Sequence, residues 1–314
     1  MQLRSHWRSH LRSLLLAGVL LLSAAWPVAA QKAVPAMIGK DIEHAARDIW
    51  AVWTSPFDAH PRDLLTGLMV LGVGVAISPA DDDVDRWFVR NADSRLFTDV
   101  LEPFRKDGAL YGGGALAPVA GAAYVVGIIT KKQGVRDAIV GCGVTWLSNN
   151  VLRHQVLYRF IGRERPDSSR GTDPNWPAAE PGDQYNIRLN DIEGAPWGMH
   201  SFPGGHIANI VGCASFFGHR FKWGVVEPAL YAVAGAVLVA RFADRAHWMS
   251  DQWVGTVFGF AIGQEVAHQQ LRRMAARNAA AAGGSASAAP VPLKDGFFVT
   301  KGAEEVRVGW QLRF

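Results

Sequence analysis

The sequence contains little cysteine and little net charge. Only two of its 314 residues are cysteine, and neither lies in a metal-binding or redox motif. Small residues flank Cys142 and Cys213 in apolar runs, so we expect buried free thiols, with a disulfide as the alternative in an oxidising compartment. The formal net charge of +4 falls to +1 without Arg4, Arg8 and Arg12. Such a balance argues against nucleic-acid binding.

The first thirty residues differ from the rest of the chain. Three arginines precede the apolar run LLLAGVLLLSAAW, and VAA before Gln31 fits a small-residue cleavage site. We predict a secretory signal peptide over residues 1–30, with an uncleaved membrane anchor as the alternative. Either interpretation sends the chain to the cell envelope.

The middle of the chain lacks alternating strand patterns and consists of recurrent apolar runs rich in glycine and alanine. Their length and spacing favour closely packed helices. We therefore predict an all-α fold, with a helical bundle over residues 31–277. The runs are Leu64–Ile77, Ala115–Thr130, Ala138–Leu147, Ile207–Phe217, Pro228–Val239 and Trp253–Ile262.

Two polar segments interrupt this pattern. Asp167 to Met199 is predicted to be a long loop, and the Ala/Gly/Ser-rich residues 278–292 a flexible linker. After the linker, EVRVGWQLRF alternates strictly, which predicts a short β-strand or hairpin within residues 293–314. One or two strands are too few for an outer-membrane barrel, so we expect a hairpin packed on the bundle.

The acidic stretch DDDVD after Pro79 has carboxylates spaced as in a calcium loop. Arg86 stands where such a loop needs glycine, and Ala92 where it needs a bidentate acid. A solvated helix start is the better interpretation.

The stretch DRAHWMSD places His247 and Asp251 four residues apart in apolar surroundings. On a helix, both would lie on one face, and the carboxylate would accept a hydrogen bond from one ring nitrogen. The other nitrogen would then be a nucleophile or base. Arg241 ends the preceding apolar run and is within reach of the same place. An ordinary ion pair is the alternative.

Two further segments carry groups that bind anions. GRERP, residues 162–166, ends an apolar helix with two arginines, whose guanidinium groups suit phosphate. SFPGGH places two glycines and His206 before another helix, where backbone amides face an anion. A basic helix end and a plain turn are the respective alternatives. Together the three segments predict a phosphate site.

These residues resemble the three-part signature of the type 2 phosphatidic acid phosphatase superfamily, which includes bacterial acid phosphatases and vanadium-dependent haloperoxidases. The match runs from Tyr158 to Asp251. The third part fits best, through Arg241, His247 and Asp251. Three positions depart from the signature, because Tyr158 replaces its lysine, and Gly204 and Ala240 each replace a serine.

The resemblance implies roles for the matched residues. His247 would attack phosphorus and form a phosphohistidine, Asp251 would orient it, and His206 would protonate the leaving oxygen. Arg165, Arg241 and the amides of Gly204 and Gly205 would hold the phosphoryl oxygens. Beside Tyr158, Arg159 is the candidate to replace the lysine.

The resemblance also implies that no metal or other cofactor is needed. Zinc would require a third ligand, and none of matching spacing lies near the His/Asp pair. Vanadate would be a cofactor only under the haloperoxidase interpretation, and the missing lysine argues against that.

The helix ends opposite the motifs are basic, as expected for cytoplasmic loops of a membrane bundle with an outward-facing site. The same parity requires that the run Leu64–Ile77 does not cross the membrane, and the run is indeed short for a span. Polar residues after Leu147 and a mean hydropathy of +0.05 keep a soluble periplasmic bundle as the alternative. The basic residues are Lys131, Lys132, Arg136, Arg220, Lys222, Arg272, Arg273 and Arg277.

We therefore expect a phosphatase that acts on a phosphate monoester or pyrophosphate, with a lipid or isoprenoid phosphate as its partner at the outer face of the inner membrane. The alternatives are a vanadium-dependent haloperoxidase and a non-catalytic phosphate- or lipid-binding envelope protein.

Overall fold

The computed structural model describes residues 28–106, 116–167, 180–189, 199–222, 224–281, 296–301 and 306–311. The predicted signal peptide lies outside them except for its last three residues, which are helical. The backbone divides into two units, Met1–His44 and Ala45–Phe314. The described part of the first unit is helical throughout, and the second contains every candidate site residue.

Helices make up most of the described chain, which confirms the predicted all-α fold. They are α1 (Val28–Thr54), α2 (Pro61–Ile77), α3 (Asp81–Arg90), α4 (Glu102–Lys106), α5 (Ala117–Ile129), α6 (Gln133–Val151), α7 (Tyr158–Phe160), α8 (Gly205–Phe221), α9 (Val226–Ala243) and α10 (Met249–Ala281). A π-helical segment, Leu152–Leu157, joins α6 to α7. Helix α10 continues past residue 278, where we placed the start of the linker, since its alanines favour helix.

Two antiparallel strand pairs accompany the helices. Strands β3 (Gly296–Lys301) and β4 (Val306–Gln311) form the C-terminal hairpin. Strands β1 (Ile161–Arg163) and β2 (Ile187–Leu189) pair at the edge of the long loop, so the expectation of no strand before the C-terminus is wrong. The GRERP segment therefore begins within strand β1 rather than ending a helix. Three residues are too few for an alternating pattern to show in the sequence.

Glycines on α10 allow α8 and α10 to pack with their backbones in contact. A Cβ atom on Gly255, Gly259 or Gly263 would overlap backbone atoms of Gly204, Ala208 or Gly212, respectively. Because the paired residue numbers rise together, the two helices run parallel. Small residues at every fourth position permit such close approach. The N-terminal ends of α8 and α10 consequently lie side by side.

A disulfide joins α6 to α8. It links Cys142 to Cys213, so the expectation of two free thiols is wrong. Nothing in the spacing of two cysteines in the middle of different helices shows that those helices bring the sulfur atoms together. The bond fits an oxidising compartment, where disulfides form and persist.

The basic helix ends meet at the end of the bundle remote from Gly205 and Met249. Arg220 near the end of α8 lies 3.5 Å from the carboxylate of Asp137 near the start of α6. Its Nε donates to the side chain of Gln270 on α10 at 3.0 Å. The three connections that the sequence identified as basic therefore share one side.

Apolar side chains remain exposed on α2, α5 and α9. Among the described residues, two segments are long and apolar enough to cross a membrane, Pro61–Arg90 and Val226–Ala243. The first continues well beyond the run Leu64–Ile77 that we expected to be too short. Exposed examples are Leu64, Leu65, Leu68, Met69, Val75, Val119, Val125, Val126 and Val233.

Candidate active site

Two helix N-termini form the centre of the candidate site. Helix α8 begins at Gly205, directly before His206, and α10 begins at Met249, two residues after His247. First-turn amides of a helix have no partner within the helix, and the helix dipole adds positive potential there. The parallel packing of α8 and α10 brings both N-termini to one place. The first turn of α8 favours an anionic ligand, whereas the Ser250 amide at the start of α10 is already bound by the carboxylate of Asp81.

His247 is buried, and its ring orientation is fixed by a backbone group. Nδ1 lies 2.6 Å from the carbonyl oxygen of Ser201. A carbonyl only accepts, so Nδ1 carries the proton and Nε2 keeps a lone pair. Burial, followed by the charges of Arg165 and His206, lowers the pKa of His247 well below its usual range. The ring is therefore neutral at physiological pH.

Asp251 does not take the place that the sequence predicted for it. Because α10 begins only at Met249, His247 precedes the helix, and the two residues do not share a helical face. Oδ2 of Asp251 instead accepts from Ser201 Oγ at 2.5 Å and from the amide of Trp248 at 3.1 Å. Ser201 thus links the carboxylate to the histidine.

Arg163 is the counterion of Asp251. Its Nη1 donates to Asp251 at 2.5 Å and to Ser250 at 2.7 Å, and its Nη2 donates to Asp81 at 2.7 Å. Both carboxylates and the guanidinium are buried. Burial raises the pKa of Asp251, and the charge of Arg163 acts in the opposite direction. The network fixes the start of α10, because Asp81 also accepts from the amide of Ser250 at 2.9 Å.

The acidic stretch that contains Asp81 is not a solvated helix start, so that expectation is wrong. Asp81, Asp82 and Asp85 are buried on α3 because arginines neutralise them. Asp82 pairs with Arg86 on the same helix, and Asp85 accepts two hydrogen bonds from Arg245. Within the described ranges, His, Cys, Asp and Glu side chains form no group of three suited to a metal.

Several arginines lie around the two histidines. Nη2 of Arg165 donates to the carbonyl of His200 at 3.0 Å, and Nη2 of Arg241 donates to the carbonyl of Arg105 at 3.0 Å. Nε of Arg241 is buried without a hydrogen-bond partner in the described residues. Burial lowers the pKa of Arg165 to about 10, which leaves it charged at neutral pH. Arg241 also forms an ion pair with Asp244.

The electrostatics of His206 show that the groups form one cluster. Burial lowers its pKa to about 3, and the next causes are the charges of Arg241, Arg153 and Arg165. The same Arg165 and Arg153 act on His247. Folding therefore brings together His206, His247, Arg165 and Arg241, all of which the sequence motifs identified.

Gly204 differs from its predicted role. Its amide donates to the carbonyl of Asp251 at 2.9 Å, so it is not available to a phosphoryl oxygen. A Cβ on Gly204 would lie 2.5 Å from Oε1 of Gln252, whose side chain is buried. Gln252 therefore occupies the space of the serine that the superfamily signature has at this position. The first-turn position of Gly205 remains suited to anion binding.

The neighbouring residues Tyr158 and Arg159 differ in burial. Tyr158 is buried, its ring stacks on His200 with centroids 4.6 Å apart, and its hydroxyl donates to the carbonyl of Pro203 at 3.1 Å. It is thus a structural neighbour of the PGGH turn. Arg159 is exposed on the surface. The adjacent sequence position does not bring Arg159 into the cluster of buried arginines.

Sequence reasoning missed Asp81, Arg153 and Ser201, and it did not connect Arg163, one of the two arginines of GRERP, with Asp251. Asp81 and Arg163 are far apart in the chain, so no local spacing connects them. Ser201 acts partly through its backbone carbonyl, which leaves no signal in the residue type. Arg163 does stand inside the GRERP segment, and its position two residues before Arg165 is the one signal that was available.

Comparison with known proteins confirms the resemblance that the motifs indicated. Residues 137–275 match the model of the PAP2 superfamily, the type 2 phosphatidic acid phosphatases. No curated protein matches the chain. Among solved structures, it is similar to the first transmembrane PAP2-type phosphatidylglycerolphosphate phosphatase from Bacillus subtilis, with 15% sequence identity and a TM-score of 0.27. That alignment covers 83% of this chain and 96% of the other.

Proposed function

We propose that the PAP2 superfamily region of this chain, residues 137–275, is a phosphatase that works through a phosphohistidine at His247. The observation that carries the proposal is the 2.6 Å contact between Nδ1 of His247 and the carbonyl of Ser201. It leaves the lone pair of Nε2 as the nucleophile, beside a cluster of buried cations. A neutral, oriented imidazole is what nucleophilic attack on phosphorus requires.

In the first step, the Nε2 lone pair forms a bond to phosphorus as the bond to the ester oxygen breaks. His206 donates a proton to the departing oxygen. Arg165 and Arg241, with the first-turn amides of α8, stabilise the charge on the equatorial oxygens. In the second step, His206 takes a proton from water, whose oxygen attacks the phosphohistidine and releases inorganic phosphate and His247.

The acid role of His206 depends on the substrate. With its pKa lowered to about 3, His206 is neutral at physiological pH. A bound phosphate ester brings up to two negative charges next to it, which favours the protonated ring. The substrate itself thus prepares the proton donor for the leaving oxygen.

A lipid or isoprenoid phosphate is the substrate class that the surroundings favour. Arg241 lies two residues before the end of Val226–Ala243, one of the two candidate membrane segments. Asp81, which belongs to the Arg163 network, follows the exposed apolar helix α2 closely. The site is therefore at the level where apolar helices end, which suits a headgroup whose chains remain in the membrane. Together with the disulfide, this supports the cell envelope as location.

Hydrolysis of an aryl phosphate tests the reaction class. We expect activity that survives EDTA and is inhibited by vanadate, because vanadate mimics trigonal-bipyramidal phosphorus and a histidine nucleophile needs no metal. His247→Ala should abolish the labelled phosphoenzyme, whereas His206→Ala should retain it with a good leaving group. His219→Ala, on the far end of α8, is the control and should change neither. Activity lost in EDTA and restored by zinc contradicts the proposal.

The same preparations separate the other interpretations. Bromide oxidation with vanadate and peroxide, in the absence of phosphatase activity, indicates a haloperoxidase. Phosphate binding without turnover, equal in wild type and His247→Ala, indicates a non-catalytic binder. The substrate class is tested by phosphate release from phosphatidic acid and isoprenoid pyrophosphate in vesicles, compared with a soluble nucleotide. Faster release from the nucleotide contradicts the lipid assignment.

A further inference from the structure

Arg153 is a buried guanidinium without a neutralising partner in the described part of the chain. It lies in the π-helical segment after α6 and is 7% exposed. Its Nη2 donates to Asn150 Oδ1 at 2.6 Å and lies 3.1 Å from Nε2 of His154. Nε and Nη1 are buried and have no hydrogen-bond partner among the described residues. An unpaired buried charge opposes folding, so its presence calls for a ligand.

The guanidinium lies against the first residue of α8. A Cβ on Gly205 would overlap both Nη1 and Cζ of Arg153, so only glycine leaves room for it. The unpartnered nitrogens are therefore beside the helix N-terminus that precedes His206. The positive charge of Arg153 also lowers the pKa of both His206 and His247. Arg153 thus faces the same space as the two histidines.

Neither residue at the motif position supplies the charge of the missing lysine. Tyr158 directs its hydroxyl to the carbonyl of Pro203, and Arg159 is exposed. We propose that Arg153 binds the transferring phosphoryl group, in the role for which superfamily members use the lysine of the first motif. The proposal rests on the phosphatase function argued above and adds a residue five positions before that motif begins.

The surroundings hold Arg153 in a fixed orientation for this purpose. Asn150 engages one end of the guanidinium, and Cζ lies 5.7 Å from the centroid of the Tyr158 ring. The other two nitrogens are left for oxygen acceptors. Phosphate offers acceptors in the planar, paired geometry that arginine prefers. Arg241, which also has a buried unpartnered Nε, supplies a second donor of the same kind.

The test compares Arg153→Met with Arg159→Met, which removes the neighbouring exposed arginine. We expect Arg153→Met to raise the inhibition constants of inorganic phosphate and vanadate at least tenfold and to lower kcat/KM on an aryl phosphate by at least as much. Arg159→Met should stay within twofold of wild type in both measurements. Arg153→Lys should recover part of the loss, because it keeps the charge and loses only the planar fork.

Thermal unfolding separates binding from a structural role. Without anions, Arg153→Met should unfold at or above the wild-type temperature, since it removes an unpaired buried charge. At one phosphate concentration, the rise in Tm should be equal in wild type and Arg159→Met and clearly smaller in Arg153→Met. Arg153→Gln provides a second neutral variant, and failure of both neutral variants to fold overturns the proposal.

Failure of this proposal is distinguishable from failure of the phosphatase function. If wild type hydrolyses aryl phosphates while Arg153→Met keeps its inhibition constants within twofold, the role of Arg153 is wrong and the phosphatase remains. If wild type has no turnover, the phosphate-induced rise in Tm still tests Arg153 as an anion ligand. An equal rise in wild type and Arg153→Met then overturns it.

Discussion

Ser201 and Asp251 are joined by a 2.5 Å hydrogen bond from the serine hydroxyl to Oδ2, and the carbonyl of the same serine accepts from His247 at 2.6 Å. The carboxylate is therefore connected to His247 through an intermediate residue. The direct His–Asp hydrogen bond expected from their spacing is replaced by this two-step connection. The contribution of the Ser201–Asp251 hydrogen bond can be measured by substitution of Ser201.

Ser201→Ala should lower kcat without preventing folding. The substitution keeps the carbonyl that orients His247 but removes the bond to Asp251, and a hydrogen bond to a charged group contributes about 1.5–3 kcal/mol. We expect kcat to fall between about 10-fold and 100-fold, measured with an aryl phosphate. Ser215→Ala is the control. It removes a buried hydroxyl on α8, away from the site, and should leave kcat unchanged. Equal effects in both variants would show that Ser201 has only a packing role.

Asp81→Asn should destabilise the protein strongly. It leaves Arg163 buried with half of its neutralising charge, and breaking such a pair costs about 3–5 kcal/mol. Chemical unfolding measures the change. Asp83→Asn, on the same helix but with an exposed side chain, should have little effect. A wild-type free energy of unfolding in Asp81→Asn would contradict the proposed importance of the network.

Gly259→Ala should lower both stability and activity. The new Cβ would overlap the carbonyl of Ala208 and force α8 and α10 apart, and overpacking typically costs about 1–3 kcal/mol. Since each histidine lies at the N-terminus of one of these helices, kcat/KM should fall with the stability. Gly235→Ala on α9 meets no atom within 4 Å and should be neutral or stabilising by up to about 1 kcal/mol. Unchanged activity in Gly259→Ala would show that helix spacing does not control the site.

Stability should fall as the pH drops below about 6.5. The pKa of His206 is lowered to about 3 in the folded chain, so the unfolded chain binds a proton at a higher pH than the folded one. Protonation therefore favours unfolding progressively between about pH 6.5 and pH 3. His206→Gln should weaken this dependence, as should saturating inorganic phosphate, which favours the protonated ring. Identical pH profiles with and without phosphate would argue against an anion beside His206.

Reduction of the disulfide should lower stability. The bond closes a loop of 71 residues, and the chain-entropy relation gives roughly 4 kcal/mol for a loop of that length. Replacing both Cys142 and Cys213 by alanine should produce a similar decrease in unfolding experiments. The double variant should then be insensitive to reductant. If reductant does not change the Tm of the wild type, the disulfide between Cys142 and Cys213 is contradicted.

The sequence was sufficient to predict six of the described helices, which are α2, α5, α6, α8, α9 and α10, and four of the side chains in the anion cluster. The apolar runs show these helices because each must bury a face or meet lipid, and the motifs identify His206, His247, Arg165 and Arg241. The orientation of Asp251 was not predictable, because it depends on whether α10 begins before or after His247. A shift of two residues in a helix start is beyond what local sequence determines.

The other contacts that the sequence did not predict join residues far apart in the chain. The pairing of Asp81 with Arg163 and that of Cys142 with Cys213 depend on which helices pack together, and no periodicity records that. Arg153 shows the opposite difficulty. It is close to the motif in sequence, but only its burial and its contact with Gly205 distinguish it from Arg159.

Two arginines of the region that matches the superfamily take their counterions from the preceding helices. Arg163 pairs with Asp81, and Nη2 of Arg273 donates to the buried Asp48 at 2.7 Å. A protein trimmed to residues 137–275 would keep both arginines and lose both carboxylates. The segment that matches the superfamily is thus shorter than the segment that includes the counterions of its own arginines. A protein shortened to the motif boundaries would lack the acids that neutralise these two arginines.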